Sequence, residues 1–165
     1  MEKSSANMRT CLQPAPKVLV SCRDEAGRDN ALAVAYCCNC SFDPPMVMVG
    51  IVPSRASYPM IKETGCFVVN LVGRDQKAMF DYLGSHSLRD NQDKLAKAGA
   101  ALARAEKVNA PLLADCPVNI ECTVVDSIVT GSHEMFVGRI EIVHADKALL
   151  KEDGSIDFSK LDLLA

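Results

Sequence analysis

Three of the chain's eight cysteines fall within four positions, Cys37-Cys38-Asn39-Cys40. The C-x-x-C spacing is that of a metal clamp or of a dithiol redox centre. A structural zinc site needs four ligands, usually a second knuckle or two histidines at knuckle spacing. Neither is present: Cys11, Cys22, Cys66, Cys116 and Cys122 form no second knuckle, and His86, His133 and His144 are widely separated. Iron–sulfur runs are absent too. A thioredoxin-like dithiol opens a helix, where the dipole lowers a thiol pKa, whereas this one closes an apolar run in front of Asp43-Pro44-Pro45. Two readings of these sulfurs stay open. They are small buried apolar residues, or they form a metal or thiol sensor built on Cys37, Cys38 and Cys40.

A second group suits an anion. Ser54-Arg55-Ala56-Ser57 stands between an apolar run and a helix start. Arg55 offers a bidentate fork, Ser57 a hydroxyl, and the first helical turn its free N–H groups and positive dipole end. Together they make a phosphate cradle; the same residues also fit a capped helix beside a surface arginine. A third feature is size. Ala31, Ala33, Ala35, Cys37 and Cys38 leave the backbone approachable on both faces, as a planar ligand lying against a strand requires.

The elements that must position these groups are mostly strands. Residues 17–22, 31–38, 46–52 and 66–71 read as short β-branched or apolar strands. The third is apolar on both faces and therefore central. Residues 57–65 read as a helix capped by Ser57 and stopped by Gly65. Residues 75–83 and 91–98 read as helices, and 100–117 as mixed connection. Residues 118–128 and 134–144 flank a turn at Gly131. Their charged residues, Glu121, Arg139 and Glu141, alternate with apolar ones, which predicts one wet face. Asp153-Gly154 marks a last hairpin. The chain is thus mainly β with short helices, an antiparallel barrel or sandwich. The alternating strand–helix rhythm of a dinucleotide-binding domain and its G-x-G-x-x-G are missing.

At 165 residues this is one domain, 17–165, behind a loose polar arm, 1–16. A formal charge of −3 gives no case for nucleic acid or an anionic membrane. The N-terminus lacks the apolar core of a secretory signal, and no apolar run approaches the ~20 residues of a membrane span. The expected location is cytoplasmic, where eight thiols stay reduced.

The order of features resembles the flavin reductase-like, FMN-binding split-barrel family, most closely its flavoredoxin branch. The likeness runs from about Val18 to about Leu163. Carrying it are Asn30-Ala31-Leu32-Ala33-Val34-Ala35, Ser41-Phe42-Asp43-Pro44-Pro45-Met46, Arg55-Ala56-Ser57-Tyr58 and Ile61-Lys62-Glu63-Thr64-Gly65-Cys66-Phe67-Val68-Val69-Asn70-Leu71. Further on come Asp93-Lys94, Ala110-Pro111-Leu112-Leu113, Pro117-Val118-Asn119-Ile120-Glu121-Cys122 and Gly131-Ser132-His133-Glu134-Met135-Phe136.

The resemblance implies a homodimer of antiparallel Greek-key split barrels, each holding one FMN non-covalently near the subunit interface. Asn30, Ala31, Ala33 and Ala35, with Cys37, Cys38, Asn39, Cys40 and Ser41, would lie along the isoalloxazine. Arg55 and Ser57 would hold the phosphate. Lys94 would add charge near the phosphate or ring, Tyr58 would pack beside the cofactor, and His133 would contact the flavin edge. The implied activity is FMN-dependent oxidoreduction, with NAD(P)H or a ferredoxin-like protein as electron donor. The chain also departs from the pattern. Ala33 replaces a usual Thr, and Tyr36-Cys37-Cys38 replaces a frequent Trp-Thr-Gly, so sulfur stands near the ring where a hydroxyl is lost. Leu83-Gly84-Ser85-His86 replaces a segment that often carries a cysteine, with one extra residue before Asp93-Lys94, which excludes a redox cysteine there. Relatives commonly continue into a Gly- and Tyr-rich tail; the shorter end here implies either a more open flavin or a truncated sequence.

Overall fold

The computed structural model describes residues 1–164. Residues 1–17 hold no helix or strand. Seven strands then build one antiparallel sheet: β1 (Val18–Arg23), β2 (Asp29–Val34), β3 (Cys37–Ser41), β4 (Met46–Ile51), β5 (Cys66–Leu71), β8 (Val118–Val129) and β9 (Glu134–Ala145). Between them lie helices α1 (Ser57–Thr64), α2 (Lys77–Ser85) and α3 (Lys94–Lys97), and a small hairpin of β6 (Leu102–Arg104) and β7 (Pro111–Leu113). The hydrogen-bonded order is β2-β1-β5-β8-β9-β4-β3. After β4 the chain passes through α1 and returns beside β1, the long return of a Greek key.

That order dictates the shape. β2 and β3 stand at opposite ends of the sheet, yet only Ala35 and Tyr36 separate them in sequence. Three Cα steps reach at most about 11 Å. Six strand spacings in a flat sheet amount to about 29 Å. The sheet must therefore curl until its two edges are neighbours, leaving a barrel split between β2 and β3. The single strand expected over residues 31–38 is accordingly two strands, bonded to opposite ends of the sheet, and the break at Ala35-Tyr36 is the split itself. The Gly50 N–H donates to the Tyr36 carbonyl at 2.8 Å and pins the link to β4. β4 is paired on both sides, by β3 and β9, as its apolar character implied.

Two cores result. Val18, Val20 and Cys22 of β1 face the barrel interior with Val49, Phe67 and Phe136, under the buried Met60 and Ile61 of α1. Leu19 and Ala31 face outward, beneath Met79 and Leu83 of α2. This is why the first strand is apolar on both faces. It also gives the small residues of β2 a packing role. A Cβ placed on Gly84 of α2 would lie 3.0 Å from the Ala33 Cβ, so helix and strand meet at their closest approach. α1 stops at Gly65, whose φ of 68° is the left-handed stop expected; its N–H returns to the Ile61 carbonyl at 2.8 Å.

Buried polar groups fix the rest. Asn70, fully buried on β5, donates to the Leu19 carbonyl and the Ser21 hydroxyl, both at 3.0 Å. Its Oδ1 accepts from the Leu113 N–H at 3.1 Å and the Asn119 amide at 2.7 Å. One side chain thus ties β1, β5, β7 and β8. Glu121 is not on a wet face as its alternation with apolar residues implied: it is fully buried. Its carboxylate accepts the N–H groups of Glu106, Lys107 and Val108 at 2.8, 2.6 and 3.0 Å, and His144 Nε2 approaches at 2.6 Å. Burial opposes its charge, but these contacts outweigh that and hold its pKa below the usual value. Arg139 does stay exposed, paired with Glu141 at 2.8 Å. The stretch 100–117 contains the β6–β7 hairpin, and the helix expected over 91–98 shrinks to α3. The final turn forms with Gly154 at φ 81°, but only a single bridge, Leu150 to Ile156, flanks it.

Glu134 locks α1 to the β8–β9 hairpin. It accepts from Ser127 Oγ at 2.6 Å, from the Tyr58 hydroxyl, and from Lys62 Nζ at 3.1 Å. These three bonds, in that order, pull its pKa down to about 2. The folded value lies below the unfolded one of about 4.3, so the stabilisation is complete above that pH and is lost as pH falls towards 2. Acid denaturation followed by far-UV circular dichroism should show wild type losing stability between pH ~4.5 and 2, with a clearly shallower slope in Glu134→Gln. Replacing the hub, Asn70→Ala, should cost about 3 kcal/mol or more in urea unfolding, because it strands several buried donors and acceptors at once.

Candidate functional site

The curled sheet leaves a cavity of about 220 Å³ on the β2 side. Its walls are β2, the connection from β4 to α1, the end of α2 with the loop that follows, and the first residue of α3. Asn30 of β2 donates to the Ser57 hydroxyl at 2.8 Å, and both side chains are buried. This bond fastens the edge strand to the start of α1. Ser57 is therefore not the helix cap that the sequence predicted. Ala56 precedes the helix with αR backbone angles and no side-chain cap, and Ser57 turns its hydroxyl towards β2. The Asn30 Oδ1 is buried and has no hydrogen-bond partner among the described residues.

The cavity is cationic. Lys94 opens α3 and is only 2% exposed. It forms no ion pair among the described residues. Burial pushes its amine down to about 8; Cys22 partly offsets this, and the Arg55 guanidinium adds to it. Arg55 is exposed on the β4–α1 connection and likewise lacks an acidic partner among the described residues. Cys22, on the barrel side of Lys94, is held protonated, its thiol pushed up to about 12 by burial. At the start of α1 the Tyr58 N–H is spent on the Arg55 carbonyl and Pro59 has none, which leaves the N–H groups of Ala56 and Ser57 for a ligand. A guanidinium, a buried ammonium, backbone donors and a helix start facing one concavity form an anion site.

Five of the residues singled out from sequence, Asn30, Ala33, Arg55, Ser57 and Lys94, line this cavity together. The others lie elsewhere. Ala31 is packed into the core under α2, and Ala35 is exposed in the link across the split. Tyr58 packs on Phe136 with ring centroids 5.8 Å apart and gives its hydroxyl to Glu134. His133 meets the Tyr36 ring edge-on at 4.8 Å, with Nδ1 2.7 Å from Ser132 Oγ.

The C-x-x-C does not converge. Cys37 turns towards the barrel core, its thiol pushed up to about 12 by burial, while Cys38, Asn39 and Cys40 are exposed and Ser41 half-buried along β3. The pairing of β3 with β4 shifts register between Asn39 and Ser41, at Cys40. Among the described residues no group of three or more His, Cys, Asp or Glu side chains could hold a metal. The metal or thiol sensor reading is not favoured.

Sequence reasoning missed the third wall. Ser85, His86 and Asp90, at the end of α2 and in the loop beyond it, also line the cavity. His86 stacks on Tyr82 with ring centroids 3.9 Å apart, and its Nδ1 lies 3.0 Å from the Tyr82 carbonyl. Only the docking of α2 on β2 brings this loop to Arg55; a Gly-Ser-His-Ser run beyond a helix carries no local signal of it.

The family described as flavin reductase like domain matches residues 8–158. Flavoredoxin of Desulfovibrio vulgaris (Miyazaki F) superposes with a TM-score of 0.88 at 32% identity, covering 96% of this chain and 85% of its own. NADH:riboflavin 5'-phosphate oxidoreductase of Streptomyces pristinaespiralis is 29% identical over 134 residues, 81% of this chain and 73% of the relative. An uncharacterized protein of Aeropyrum pernix is 32% identical over 133 residues, 81% of this chain. The chain spans half the length of that relative. Among the described residues no helix is long and apolar enough to cross a membrane. With a family match over most of its length and a curled antiparallel sheet like that of the flavoredoxin, this chain belongs to the flavin reductase like domain family.

Proposed function

We propose that this chain is an FMN-dependent oxidoreductase whose cavity holds the cofactor's phosphate. The observation that carries the reading is the pairing of Arg55 with a buried, unpaired Lys94 across one concavity. Ligand pockets for a whole drug-sized molecule run to about 300–1,000 Å³. The 220 Å³ here has room for the phosphate end of FMN and not for the ring. The buried Asn30 Oδ1, left without a partner, suits a hydroxyl of the adjoining chain.

When bound, FMN supplies the electron-transfer chemistry. The protein's own residues bind and orient. Arg55 and Lys94 neutralise the phosphate, the Ala56 and Ser57 N–H groups add donors, and Asn30 keeps Ser57 and the helix start in place. No nucleophile or general acid is needed from the chain.

The donor is NAD(P)H or a ferredoxin-like protein. Support comes from the names of the Streptomyces relative and of the flavoredoxin. Without a dinucleotide-binding domain, NAD(P)H has to stack on the exposed ring. We read the protein as a cytoplasmic homodimer. The exposed side chains of Ile128 and Val129, at the tip of the β8–β9 hairpin, support a second copy covering this end of the sheet.

Fluorescence titration of the purified protein with FMN tests the reading. Saturable binding is expected, and Arg55→Ala should weaken it about tenfold or more, the value of one charge-assisted hydrogen bond. A protein that binds no FMN overturns it. Anaerobic mixing with NADH, NADPH and reduced ferredoxin in turn then identifies the donor by bleaching of flavin absorbance.

A further inference from the structure

Lys94 sits where a cation is costly to keep. Its side chain is 2% exposed, no carboxylate of the described residues pairs with it, and Arg55 adds a second positive charge to the same cavity. Burial without a counter-ion disfavours the ammonium, so the free amine gives up its proton more readily than an exposed lysine does.

We propose that Lys94 makes anion binding at this cavity proton-linked: it takes the phosphate as an ammonium and draws that proton from solvent when the free amine has lost it. The inference rests on the cavity being the FMN phosphate site.

The charged and titratable groups around Lys94 come from several elements. From β1, Cys22 faces Lys94 and stays a thiol, its pKa pushed up to about 12. From β2, Asp29 is engaged by Arg23 at 2.7 Å. From the β4–α1 connection, the Arg55 guanidinium lines the same cavity. From the loop after α2, His86 and the carboxylate of Asp90 line the cavity. On α3's own first turn, Asp93 and Lys97 pair with each other at 3.3 Å. A phosphate monoester is already a dianion well above pH 6.

The sign follows. Burial lowers the free amine to about 8. Below that pH the ammonium is present before ligand arrives; above it, binding must restore the proton, and the dianion raises the bound pKa. The reaction is amine plus proton plus phosphate dianion giving the ammonium–phosphate pair.

Isothermal titration calorimetry with FMN, in two phosphate-free buffers of different ionisation heat, counts the protons. With the free amine at about 8, net uptake should be close to zero at pH 7, where the last proton leaving the phosphate offsets it, and about three-quarters of a proton at pH 8.5. Affinity for FMN should then fall as pH rises from 8 to 9. Riboflavin, which lacks the phosphate, should show no uptake. Lys94→Arg should keep FMN binding and abolish uptake, since a guanidinium does not deprotonate; Lys94→Met should bind weakly with a flat pH profile.

FMN binding without proton uptake at pH 8.5 overturns this inference while leaving the proposed function standing. So does a Lys94→Arg variant that takes up as many protons as wild type. No FMN binding at any pH overturns both.

Discussion

Two residues, Ala35 and Tyr36, join strands at opposite ends of a seven-stranded sheet. Chain length alone forces the sheet to roll until those ends meet. Everything that matters for the site follows from that closure. The rolled interior is filled from every strand and roofed by α1. The outer face of β1 and β2 is left for α2. The seam between the edges is where a third wall, the loop beyond α2, can approach the β4–α1 connection. A flat sheet would leave Arg55 on one rim and Lys94 on another.

The site that results is held by few polar bonds. Asn30 to Ser57 fixes the floor, and Glu134 fixes the far side of α1 against the hairpin. Because Lys94 is already desolvated, an anion that reaches it meets a charge in low dielectric rather than one screened by water. On the proposed reading, that concentration of positive charge in a small volume receives the FMN phosphate. On that reading so compact a cavity, about 220 Å³, is sufficient, because it grips one end of the ligand.

Much of this was legible in the sequence because it is local. β-branched runs gave the strands, Gly65 gave the helix stop, and the short spacing of Arg55 and Ser57 before a helix placed both on one cavity wall. What failed was non-local. The small run over residues 31–38 has uniform composition, so its break at the split left no mark; only the pairing order reveals it. Glu121 alternates with apolar neighbours as a wet residue does, yet three N–H groups from a distant loop draw it inside. Ser57 was read as a cap because serine commonly is one, and a partner 27 residues away claimed its hydroxyl. His86 and Asp90 were invisible because helix docking, not spacing, carries them to the cavity. The cysteines drew notice by spacing alone, and adjacent strand positions face opposite sides of a sheet.

A crystal structure with FMN tests the central claim most directly. The account predicts the phosphate in the cavity, with oxygens within hydrogen-bond distance of both the Arg55 guanidinium and Lys94 Nζ. A phosphate bound elsewhere, with neither cation within hydrogen-bond distance of it, would contradict it.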